Sequence, residues 1–113
     1  MKNILVNILS LAFLIILISC SAEEDPQFRI RNERANKANV QIQTSGGNTI
    51  NINDVVAAQT TAYQTAAEGN VTATAVIQNE SVSPTVTFFA AKDTRYTIVI
   101  QTGNTPSLRV DRE

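Results

Sequence analysis

"VQIQTSGGNTININ", residues 40–53, decides the fold. Val40 and Ile42 alternate with Gln41 and Gln43, and Ile50 and Ile52 alternate with Asn51 and Asn53. Successive side chains of a strand point to opposite faces, so a period of two reads as a half-buried strand. Between the two runs, Ser45-Gly46-Gly47-Asn48 supplies residues that reach positive φ at little cost. The stretch predicts an antiparallel hairpin over residues 39–53, apolar on one face and amide-bearing on the other.

The same alternation continues outward. "FRIR", residues 28–31, sets Phe28 and Ile30 against Arg29 and Arg31. "VTATAVIQ", residues 71–78, sets Val71, Ala73, Ala75 and Ile77 against Thr72, Thr74, Val76 and Gln78. "TVTFFAA", a Lys92-Asp93 turn and "TRYTIVIQ" predict a second hairpin over residues 85–101, and "SLRVDR", residues 107–112, a last strand. Residues 54–66 suit either a helical turn or extended chain, since alanines permit the first and threonines and Tyr63 favour the second. About seven or eight short strands separated by turn residues predict an all-β fold, a single small antiparallel β-sandwich over residues 28–113. Its core is Val, Ile, Leu and Ala, with Phe28, Tyr63, Phe88 and Tyr96 as the large members.

Composition narrows the chemistry. The chain has 113 residues, a formal charge of −1 and no histidine. No basic patch or basic helix is present, so a nucleic-acid partner has no electrostatic support. Without histidine, the commonest general base and metal ligand are both missing. One cysteine cannot close an intramolecular disulfide.

That cysteine ends an apolar run. Lys2 is followed by "ILVNILSLAFLIILI", residues 4–18, which is shorter than the about 20 apolar residues a spanning helix needs. A charged start, an apolar middle and a small residue near its end form the layout of a secretory signal peptide. Leu17-Ile18-Ser19-Cys20 resembles the lipobox of bacterial lipoproteins. The resemblance implies cleavage before Cys20, a diacylglyceryl thioether on its sulfur, and a membrane partner held through lipid. Two acyl chains give firm attachment where one is marginal. Residues 1–19 are then a signal peptide and residues 20–27 a lipidated tether. Ser21, directly after the cysteine, suggests the outer membrane under the enterobacterial sorting rule. Glu23-Glu24-Asp25 reads either as a surface-export signal like that of Bacteroidota lipoproteins or as a solvated tether.

"TAYQTAAEGNVTATAVIQN", residues 61–79, and "FFAAKDTRYTIVIQTG", residues 88–103, resemble, in this order and spacing, an uncharacterised immunoglobulin-like or transthyretin-like β-sandwich family of bacterial secreted and lipid-anchored proteins. That likeness implies a sandwich fold and carries no established activity with it. The chain departs from it at Ala91 and Lys92, where the family often carries glycine.

The titratable residues fall mostly in expected turns and form no catalytic pattern. Asp54, Glu68 and Asp93 could gather at one end of a sandwich, but no dense D-x-D-x-D loop accompanies them, so neither a metal nor another cofactor is expected. Outward positions carry Gln41, Gln43, Asn51, Asn53, Thr72, Thr74, Thr85, Thr87, Thr97 and Gln101, neutral groups that suit a glycan or simply an exposed strand. Val76, Phe89 and Val99 break this wet face and are the candidate binding residues, unless a loop covers them or a bulge turns them inward. The expected function is a non-enzymatic binding or accessory module on the outer membrane or cell surface. The alternatives are a structural subunit of a cell-envelope assembly and, third, a hydrolase.

Overall fold

The computed structural model describes residues 23–113. Cys20 and the expected signal segment lie outside them. The fold is an all-β sandwich of eight strands: β1 (Gln27–Asn32), β2 (Ala38–Thr44), β3 (Thr49–Val55), β4 (Gln64–Thr65), β5 (Gly69–Ile77), β6 (Thr85–Ala90), β7 (Arg95–Gln101) and β8 (Ser107–Arg112). One sheet has the order β4-β1-β7-β8 and the other β3-β2-β5-β6.

The quoted stretch forms the β2–β3 hairpin. Gln43 pairs with Thr49 and Ile42 with Ile50, and Gly47 takes φ +87° in the turn. Near the far end of the hairpin the register slips: Val40 faces Ile52, but Ala38 faces Val55. The extra residue sits at Asn53-Asp54. Asp54 adopts φ +57°, and its amide donates to Asn39 Oδ1 at 2.8 Å. This is a β-bulge, and it returns Val55 to the core side.

Two expected pairings differ. The segments over residues 85–101 are two strands in different sheets, not a hairpin: β6 pairs with β5, and β7 pairs with β1 and β8. The Ala91–Thr94 connection therefore crosses between layers. β1 also runs parallel to β7, with Phe28 opposite Tyr96 and Ile30 opposite Ile98, whereas the expected sheets were wholly antiparallel.

The core lies between the sheets. Phe28, Ile30, Ile42, Val55, Ala73, Ala75, Tyr96, Ile98 and Ile100 are all fully buried. Each large apolar side chain contributes about 1.5–3 kcal/mol by leaving water. Phe28 stacks on Tyr96 with centroids 5.7 Å apart, and half-buried Phe88 tilts against Tyr96 at 5.1 Å. Among the described residues, Asn32 is the one buried side-chain amide. Its Nδ2 donates to the carbonyls of Asn36 and Val55, and its Oδ1 accepts from the Arg34 amide.

Tyr63 does not join the core. It lies half-buried outside the sandwich, with the Arg29 and Arg95 guanidiniums 4.7 and 5.2 Å from its ring centroid. Its hydroxyl donates to Glu113.

Part of the stretch expected as a solvated tether is docked. The Glu24 amide donates to Asp93 Oδ1 at 2.8 Å, and the Asp93 amide donates back to Glu24 O at 2.8 Å. Lys92 pairs with Asp25 at 3.3 Å, and that carboxylate holds the ammonium above its usual pKa.

Candidate interaction surface

The two outer faces of the sandwich have opposite chemistry. On the β3-β2-β5-β6 sheet, the alternation that buries Val40, Ile42, Val71 and Ala73 turns amides and hydroxyls outward. Register then lines them up across four strands. Thr87, Thr72, Gln43 and Thr49 form one row, and Thr85, Thr74, Gln41 and Asn51 form the next. Strands lie about 4.8 Å apart, and alternate residues along a strand about 6.6 Å apart, so the rows make a regular lattice. The hydroxyls of Thr72 and Thr87 share a hydrogen bond of 3.1 Å, as do those of Thr74 and Thr85. Asn39 extends the lattice at one end by the same parity. From the hairpin turn to the Asp54 bulge, none of the outward positions is charged; Asp54 itself pairs with Lys37 at 3.7 Å.

Phe89 and Val76 flank this lattice. Phe89 is 54% exposed and sits opposite Asn70; Val76 is 58% exposed and sits opposite Asn39. Asn70 and Val76 are six residues apart on β5, so the two apolar side chains stand roughly 20 Å from each other. They share a face but do not form one patch. Val76 borders a shallow depression of about 210 Å³ lined also by Lys37, Ala38, Asn39 and Gln78.

Val99 is a correction. It is 1% exposed and lies on the other sheet. β7 is central there, between β1 and β8, and is buried on both faces from Tyr96 to Ile100. On its outer side Val99 sits opposite Arg31 and Arg109, and the aliphatic stems of arginines cover apolar surface while their heads stay wet. Thr97 and Gln101 belong to this second face too, and Thr97 is buried.

The second face is ionic. Arg29 pairs with Glu113 at 3.5 Å, Arg31 with Glu33 at 3.6 Å, and Arg109 with Asp111 at 2.9 Å. At the loop end of the sandwich, Arg34 donates to the carbonyls of Gln101 and Gly103 and pairs with Glu80 at 2.8 Å, which ties three connections together. Among the described residues, no three metal-ligating side chains cluster. Asp54 instead faces Lys37, and Asp93 faces Glu24.

Comparison with known proteins places this geometry. No curated protein matches the chain. A solved structure, the NMR structure of a protein from Eubacterium rectale, aligns with 77% of this chain and 88% of that one at a TM-score of 0.59 and 17% identity. That likeness shows a shared fold. A family model described as endospore appendages matches residues 28–112, which takes in the whole sandwich but for the first residue of β1. The chain belongs to the endospore appendage family.

Proposed function

We propose that this chain is a non-catalytic structural subunit of a surface appendage or cell-envelope assembly. The family match over the sandwich carries the reading. The edges of the two sheets support it. An unpaired edge strand is a template for another chain, and monomers blunt such edges with charge, bulges or brevity. β4 has two residues, β3 carries the Asp54 bulge, and β8 carries Arg109, Asp111 and Arg112. β6, "TVTFFA", has none of these protections.

The Ala75 amide donates to Pro84 O, so the ladder register turns the amides of Val86, Phe88 and Ala90 toward β5. The amides of Thr85, Thr87 and Phe89 then face the open edge. Chemical cross-linking of cells expressing the full chain should yield a ladder of same-chain multimers. Thr87→Pro removes an edge-facing donor without a ladder bond and should collapse the ladder to monomer while the fold remains. A monomer-only pattern in the wild type would sink the reading.

The finer part of the proposal is that the subunit is exported and lipid-held through Cys20, at the outer membrane or cell surface. The lipobox-like Leu17-Ile18-Ser19-Cys20 supports it. Cys20→Ala should lose metabolic fatty-acid label and leave the membrane fraction; unchanged fractionation counts against it.

A further inference from the structure

We propose that the uncharged outer face of the β3-β2-β5-β6 sheet binds a neutral polysaccharide chain, with Phe89 as a stacking platform at its rim. Three observations point to this class of occupant. The first is charge: surfaces of soluble domains typically carry about 25–35% ionised residues, yet this face carries none between the hairpin turn and the bulge. The opposite face holds Arg29, Arg31, Arg109, Asp111 and Glu113 in ion pairs. An occupant matched to the first face has no charge to pair.

The second observation is hydrogen-bonding type. Each Thr72–Thr87 and Thr74–Thr85 pair consumes one donor internally. A hydroxyl offers one donor and two acceptor positions, and an amide offers both kinds, so the rows still present mixed donors and acceptors. Sugar hydroxyls have this same dual character. Neighbouring rungs about 4.8 Å apart match the length of an extended pyranose unit, so a chain crossing the strands meets one polar group per ring.

The third is Phe89. It is more than half exposed beside Asn70, on the same face as the lattice. A wet phenyl ring forgoes the stabilisation of burial. A pyranose C–H face laid on it recovers that stabilisation without any charge.

This inference concerns a face of side chains and does not rest on pairing at the β6 edge. The test is depletion of the detergent-solubilised full chain onto cellulose, chitin and xylan. The expected result is saturable retention on at least one of them, unchanged when salt is raised. Phe89→Ala should weaken retention by about tenfold. Thr74→Lys, which places a charge within the lattice, should weaken it too, and Arg109→Gln on the opposite face should leave it intact. Circular dichroism confirms that each variant is folded; if Phe89→Ala fails to fold, Thr74→Lys decides. Absence of retention on all three probes overturns the proposal. So does retention that salt abolishes, or retention indifferent to the face variants. Loss of self-association in Thr74→Lys without any change in retention assigns the face to a second copy of the chain and overturns it as well.

Discussion

The Tyr96 hydroxyl accepts the amide hydrogen of Ala91 at 2.8 Å, five residues back along the chain. Ala91 leaves β6 in one sheet, and Tyr96 enters β7 in the other, so this bond staples the crossing between layers. The ring of Tyr96 meanwhile fills the core between Phe28 and Phe88. Tyr96→Phe keeps the ring and deletes the acceptor. It should cost about 1–3 kcal/mol, the penalty of an orphaned, part-buried amide. Tyr96→Ala should cost about 3–5 kcal/mol through the cavity it leaves. Urea denaturation midpoints of the two variants check the order.

Asn32 at the end of β1 should behave as a buried polar anchor. Asn32→Ala leaves the carbonyls of Asn36 and Val55 and the amide of Arg34 without their partner. The expected loss is about 1–3 kcal/mol. Gln41→Ala, on the exposed face, should stay within about 0.5 kcal/mol of wild type. Equal losses for both would show that Asn32 does not hold the β1–β2 loop.

Gly69 opens β5 at φ +137°, where an added Cβ would strike the Ser45 side chain. Gly69→Ala should therefore destabilise by more than about 1 kcal/mol. Adding Ser45→Gly removes the clash but not the backbone strain, so it should recover only part of the loss. Full recovery in the double variant would mean that the backbone at Gly69 carries no strain.

Asp111 titrates below the ordinary carboxylate range because Arg109 Nε donates to its Oδ1 at 2.9 Å, with the positive charge adding to the effect and desolvation opposing it. A depressed folded-state pKa contributes stability above the unfolded value of about 3.9 and loses it as pH falls through the folded value. Arg109→Ala should raise the Asp111 midpoint toward the ordinary range in a side-chain NMR titration. Both groups are about half exposed, so the melting temperature at neutral pH should barely move.

Much of the architecture was legible because the alternation is local. The β2–β3 hairpin, the faces of β5 and the outward parity of Val76 and Phe89 follow from period two and turn chemistry alone. Val99 keeps the outward parity that the alternation gives it, but β7 is a central strand of the other sheet and is covered on both faces, so parity does not report exposure there. The Lys92-Asp93 turn looks like a hairpin tip, yet the strands it joins belong to different layers. Which layer a strand joins is set by distant partners such as β1, whose parallel pairing with β7 spans more than sixty positions of sequence. Size alone puts Tyr63 in the core; the arginines that stack on it come from β1 and β7, which local sequence does not bring to it. Asn32 shares the inward parity of Phe28 and Ile30, and that was the available sign of its burial.

The parallel β1–β7 ladder has a mechanical consequence. Gln27 enters the fold beside Arg95 and runs along β7 to Ile100. A pull on the chain ahead of Gln27 that is resisted at Glu113, which pairs with Arg95 at the same end as Gln27, does not load the whole ladder; one resisted at the far end of the sheet runs along the β1 axis and loads every backbone bond of it. Such shear loads the rungs together, and the resistance of the module is then governed by how fast that ladder ruptures. Under that far-end load the tension is met by the strand pair at the centre of the sheet, and the clasp of Glu24 on Asp93, which precedes Gln27 in the chain, is reached before the ladder.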